Sequence, residues 1–157
     1  MEKNIFSDDS VDTYRLAATE FDKIYAVFAK RCGLTEPEFW SLLMMHNGVI
    51  TQSEISDMLV LNRQTVNSAF KLLVKKNLVR LEPLENNLRT KVASFTEKGR
   101  RFTARYIEPL CKMEQQAWEI LDEQERKQLI HLTKKYGSMV QEAMDHILKT
   151  EIVSSED

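Results

Sequence analysis

The sequence predicts a mainly α-helical chain carrying one small ribbon of two or three β-strands. Three observations lead there. Only four glycines and three prolines punctuate 157 residues, so the elements should be few and long. Apolar residues recur at three- and four-residue steps over most of the chain, the period of a helix with one face turned to a core. Only between Leu78 and Phe95 does that period give way to a strand-like pattern. With 43% apolar and 29% charged side chains, the composition is that of a soluble domain able to bury a sizeable core, not of a disordered segment.

The first element runs from Val11 to Arg31, where Tyr14, Ala17, Ala18, Phe21, Ile24, Tyr25 and Phe28 keep helical spacing. Thr35-Glu36-Pro37-Glu38 then reads as a capping box with its proline in a harmless first-turn position. The helix it opens passes through Trp40, Leu42, Leu43 and Met44 and stops at Asn47-Gly48. A second capping box, Thr51-Gln52-Ser53-Glu54, opens a short helix with Ile55, Met58 and Leu59, and Asn62 is a favoured N-cap for the next. A short helix, a tight turn and a longer helix have helix-turn-helix spacing.

That longer helix, Asn62 to Asn77, holds four basic side chains (Arg63, Lys71, Lys75 and Lys76) and no acid. At 100° per residue Val66, Ala69, Phe70 and Leu73 share one side, while Gln64, Ser68, Lys71 and Lys75 fall opposite with Asn67 beside them. Amide, hydroxyl and ammonium groups without a carboxylate are the inventory that reaches base edges and phosphates in a major groove. Next, Leu78–Glu82 and Thr90–Phe95 read as strands joined by a polar loop over 83–89. Such a ribbon attached to a helix-turn-helix is a wing. Thr96 caps a further helix, and the chain stays helical to about Lys149 with a break near Leu121-Asp122. The expected organisation is a winged helix-turn-helix domain over 35–100, with 1–34 and 101–157 forming a helical dimerisation region that buries its apolar stripes on a second copy.

Charge distribution agrees with a polyanionic partner. Eleven of the 22 Lys and Arg lie between Arg63 and Arg105 with only three of the 24 acids, a local charge of +8, and the rest of the chain carries −10. The start has no basic flank followed by an apolar run, and no apolar stretch approaches the length of a membrane span, so a cytoplasmic protein is expected. No Gly-rich phosphate loop or nucleophile elbow is present, which argues against an enzyme. His46, His131 and His146 are scattered, so neither a metal site nor a cofactor is expected.

The run from Thr51 to Arg101 resembles the MarR family of winged helix-turn-helix transcriptional regulators. The resemblance rests on the helix beginning Gln64-Thr65-Val66-Asn67, on the exit Lys76-Asn77-Leu78-Val79-Arg80, and on Arg89 upstream of Phe95-Thr96-Glu97-Lys98-Gly99. It implies a homodimeric repressor on a pseudo-palindromic operator of double-stranded DNA. Gln64, Thr65, Asn67, Ser68 and Lys71 would lie in the major groove and Arg89 would enter the minor groove. From the residues themselves, the helix start at Thr51-Gln52 and the basic Arg63, Lys75 and Lys91 are further candidate DNA contacts. Where family members often carry an aspartate and a more basic wing tip, this chain has Asn87-Leu88 and Glu85. The family also implies a small-molecule effector, for which Tyr25, Phe28, Trp40, Met44, His46 and Tyr106 are candidate cleft residues, although such stripes are more commonly core. Two alternatives stay open: an oxidant sensor acting through Cys32 or Cys111, and a winged-helix module that docks an acidic protein.

Overall fold

The computed structural model describes residues 9–84 and 87–154, with side chains for all of these except 84, 87–90 and 150–154. The chain divides into two compact units, Met1–Leu110 and Cys111–Asp157. In order, the elements are α1 (Val11–Arg31), α2 (Glu36–His46), α3 (Gln52–Met58), α4 (Arg63–Lys75), β1 (Val79–Leu84), β2 (Asn87–Phe95), α5 (Glu97–Phe102), a π-helical turn (Thr103–Ile107), α6 (Glu108–Ile120) and α7 (Glu123–Ser154). The described residues thus form a mainly helical fold with one two-stranded antiparallel ribbon.

The helix boundaries follow from local chemistry. Ser10 Oγ accepts the Thr13 N–H to start α1, and Asn62 Oδ1 accepts the Thr65 N–H to start α4. Four helices end in the same way, with a residue of positive φ and an amide reaching back five residues. These closures are Leu34 N–H to Ala29 O after Gly33, Val49 to Met44 after Gly48, Leu61 to Ser56 after Val60, and Leu78 to Leu73 after Asn77. Glycine and asparagine suit that position. Val60, with φ of 52° and 90% exposed, does not, because its branched Cβ crowds the backbone there.

Two elements differ from the sequence expectation. The ribbon is longer than expected, since β1 and β2 extend through most of 83–89. Pro83 is tolerated because a two-stranded ribbon leaves each strand one unpaired edge, where the missing N–H costs nothing. The expected helix from Glu97 onward is interrupted by the π-turn, in which the Glu108 N–H reaches Thr103 O. Pro109 follows at once; its ring cannot sit against an α-helical carbonyl four residues back, and a widened turn relieves that clash.

The core of the first unit is centred on Phe39, Leu42, Ile55, Val66, Phe70, Leu73, Val79 and Ile107, all essentially buried. Helix α2 is its hub, packing against α1, α4 and the π-turn. It buries Glu38, Phe39, Ser41, Leu42, Leu43 and Met45, while Trp40 and Met44 are only half-buried. By contrast, α1 leaves Val11, Tyr14, Phe21, Ile24 and Val27 exposed. In the second unit, α7 leaves Leu129, Ile130, Leu132, Tyr136, Met139, Met144, Ile147 and Leu148 exposed. Among the described residues no helix is long and apolar enough to cross a membrane.

Candidate nucleic-acid interface

Helix α4 carries out the division the wheel required. Val66, Ala69, Phe70 and Leu73 are buried, and Arg63, Gln64, Asn67, Ser68, Lys71 and Lys75 are exposed, with no acid in the helix. Thr65 is half-buried, and its hydroxyl donates to Asn62 Oδ1 at 2.9 Å, so it completes the cap rather than facing outward. Gln64 and Ser68 line an open groove with Asn62, Leu72 and the start of α2, Thr35 and Pro37. The sequence held no signal for the two α2 residues, because only the packing of α2 on α4 brings them there.

The short helix α3 is linked to the ribbon. Thr51 pairs with Val92 as an isolated bridge, and the Ala93 N–H donates to Ile50 O at 2.7 Å. This brings Thr51 and Gln52, both half-buried, near the exposed Lys91 one residue before that bridge. The Thr51 hydroxyl is engaged locally, donating to the Glu54 carboxylate and accepting the Glu54 N–H. On the ribbon Arg80 Nε donates to Ser94 Oγ at 2.8 Å, with Glu82 at 3.5 Å. Arg89 belongs to β2, but its side chain lies outside the described residues, as does Glu85 altogether.

A compact junction holds the ribbon to α4. The Thr96 N–H donates to Leu78 O at 3.1 Å, the Thr96 hydroxyl donates to Asn77 O at 2.6 Å, and the same oxygen accepts the Gly99 N–H at 2.9 Å. Gly99 is required there, since a Cβ on it would lie 1.9 Å from Leu78 O. At the start of α5, Glu97 meets Arg100 at 2.9 Å and Arg101 at 3.1 Å. The hydrogen bond and charge of Arg100, then the charge of Arg101, hold the Glu97 carboxyl below its usual range.

One of the four basic residues at this helix is not on the outer face. Lys76 turns inward: its Nζ donates to Gly33 O at 2.8 Å and to Glu38 Oε2 at 2.9 Å. Glu38 is fully buried, and its Oε2 also accepts from the Thr35 N–H at 2.8 Å and the Thr35 hydroxyl at 3.0 Å. Its Oε1, 2.7 Å from the same ammonium, is held by charge rather than by an aligned hydrogen bond.

The candidate cleft residues are partly gathered. Tyr25 packs against Trp40 at 5.1 Å between ring centroids with the planes tilted by 38°, Phe28 lies against Phe39 at 5.9 Å, and Phe39 against Trp40 at 5.1 Å. Tyr106 packs on Phe102 at 4.8 Å beneath Arg105, Met44 is half-buried, and His46 is exposed. Burial pushes the Cys32 thiol up, the direction that suppresses the reactive thiolate.

Residues 33–89 match the model of the MarR family. Solved structures share the fold at low identity. A putative MarR family transcriptional regulator from Listeria monocytogenes, complexed with 26mer DNA, is 24% identical with a TM-score of 0.67, over 90% of this chain and 95% of that one. NMB1585, a MarR family regulator from Neisseria meningitidis, is 20% identical with a TM-score of 0.65, over 84% and 96%. The S. aureus MepR–DNA complex is 22% identical with a TM-score of 0.63, over 80% and 94%. No curated protein matches the sequence.

Proposed function

Starting from a winged helix-turn-helix that matches the MarR family over 33–89 and shares the fold of its regulators, we propose that this protein is a sequence-specific double-stranded DNA-binding repressor acting in the cytoplasm as a homodimer. The observation that carries the reading is the outer face of α4, where Gln64, Asn67 and Ser68 alternate with Arg63, Lys71 and Lys75 and no carboxylate intervenes. Lysine and arginine attract phosphates regardless of sequence, and the amides and hydroxyl read base edges. Gln52, Lys91 and Arg89 add backbone and wing contacts, and Thr51 and Thr65 support them as caps. The exposed apolar faces of α1 and of α7 each support burial against a second copy, because a monomer would leave them in water. A dimer then reads two half-sites about 34 Å apart. A planar small molecule entering beside the half-buried rings of Tyr25, Phe28 and Trp40 is the proposed route to release.

Fluorescence anisotropy of the purified protein tests the reading, with the DNA upstream of its own coding region, a scrambled duplex and a salt series. Tight, steeply salt-dependent binding to the first and weak binding to the second is the expected result. If no duplex selected from random sequence binds better than the scrambled control, the repressor reading fails and a protein-docking module takes its place.

A further inference from the structure

The ion pair between buried Glu38 and half-buried Lys76 does more than close a helix. It joins three segments: the turn after α1 through Gly33 O, the first turn of α2 through Glu38, and the C-terminal end of α4 through Lys76 itself. A fourth tie comes from α5, where Lys98 Nζ donates to Lys76 O at 2.8 Å. The other end of α4 faces α2 across the open groove bounded by Thr35, Pro37, Asn62 and Gln64. Helix α4 is therefore fixed by polar contacts at its C-terminal end, while its N-terminal half, which carries Gln64, Asn67 and Ser68, extends from that fixed point. A small change of angle at Lys76 is carried along the helix to the three reading side chains. Apolar packing of Val66, Phe70 and Leu73 holds the helix down but is less directional than an ammonium held by three oxygen contacts.

We infer that Lys76, paired with Glu38, is a positioning residue for base recognition: it sets the angle at which α4 presents Gln64, Asn67 and Ser68, and makes no phosphate contact of its own. The inference rests on the DNA-binding reading above. It gives Lys76 a role distinct from that of Lys75, its exposed neighbour, which the helical wheel places on the outer face without it. A phosphate contact and a positioning contact leave different signatures. Loss of the first weakens every sequence alike and flattens the salt dependence; loss of the second weakens only the operator and leaves the salt dependence as it was.

The test compares Lys75→Met, Lys76→Met, Lys76→Arg and the double variant Glu38→Gln/Lys76→Met, which removes both charges so that no buried carboxylate is stranded. Each is titrated against the operator and a scrambled duplex from low to moderate salt. Lys75→Met removes one phosphate contact from each subunit of the dimer, and is expected to weaken both duplexes and lower the log–log salt slope by about 1.8. Lys76→Met and the double variant are expected to lose about tenfold in operator affinity, the scale of one lost base contact, with scrambled-duplex affinity and slope retained. Lys76→Arg should recover part of the loss, since it keeps the ion pair. Lys76 variants that lower both affinities and the slope, or a folded double variant with wild-type operator affinity, would overturn the inference. Hydrogen exchange of the DNA-free protein gives a second readout independent of DNA. Amides over 70–77 should exchange faster in the double variant than in wild type while the α3 amides stay protected; unchanged exchange there removes the clamp even if the DNA reading itself fails.

Discussion

Gly99→Ala is the sharpest test of how the ribbon is held to α4. The added Cβ would lie 1.9 Å from Leu78 O and 2.9 Å from Leu78 C, both backbone atoms that no rotamer change can move away. A comfortable carbon–oxygen contact needs about 3.3 Å, so β1 must retreat from α5 by roughly 1.4 Å. The bonds from Thr96 to Leu78 O at 3.1 Å and to Asn77 O at 2.6 Å would then stretch beyond hydrogen-bonding range. Two such bonds contribute about 1 kcal/mol each, and overpacking at a rigid site costs about 1 to 3 kcal/mol more. The expected loss is about 3 to 5 kcal/mol, a large part of the roughly 5 to 15 kcal/mol of a typical domain. Urea unfolding followed by far-ultraviolet circular dichroism at one protein concentration measures it. Gly137→Ala provides the contrast: apart from its own helix backbone no atom lies within 4 Å of its added Cβ, and it sits inside α7, so a gain of about 0.5 to 1 kcal/mol is expected. A Gly99→Ala protein within about 0.5 kcal/mol of wild type would refute the reasoning, since the junction would then yield at no cost.

Three further outcomes are expected. Val60→Asn should raise stability by about 1 kcal/mol in the same urea assay, because asparagine accepts the left-handed conformation that valine is forced into and the exposed side chain gives up no packing; a loss of stability would mean that Val60 makes contacts this backbone does not reveal. Glu97→Gln addresses pH: a carboxyl held below its ordinary range stabilises the folded state above the unfolded value of 4.5 and loses that contribution as pH falls through the lowered folded value. The stability gap between wild type and Glu97→Gln should therefore be full near neutrality and shrink below about pH 4.5, and a gap that widened in acid would reverse the assignment. In a Cys111→Ser background, Cys32 should alkylate with iodoacetamide more slowly than free cysteine at pH 8, since burial raises its thiol; faster alkylation would revive the oxidant-sensor alternative.

The sequence by itself determined the features that depend on neighbours within a few residues. The capping groups at Ser53's helix and at Asn62, the span of α1, the break at Leu121-Asp122 and the two faces of α4 were all legible, because caps and helical period act over a single turn. Reading failed where burial surrounds an element. Helix α2 is covered on most sides, so its apolar residues show no stripe, and the sequence marks the half-buried Trp40 and Met44 but not the fully buried Phe39. The extension of the ribbon through Pro83 and the π-turn before Pro109 escaped for another reason: both depend on where a missing N–H can be tolerated, which pairing and packing decide. Lys75 and Lys76 mark the limit most clearly. Adjacent in sequence and identical in chemistry, they stand about 100° apart on the helix, which puts only Lys75 on the outer face, but the partner of Lys76 is decided by the tertiary structure alone, which sets Glu38 against it. The reason is that α2 supplies a buried carboxylate 38 residues away, a distance over which no local pattern carries information.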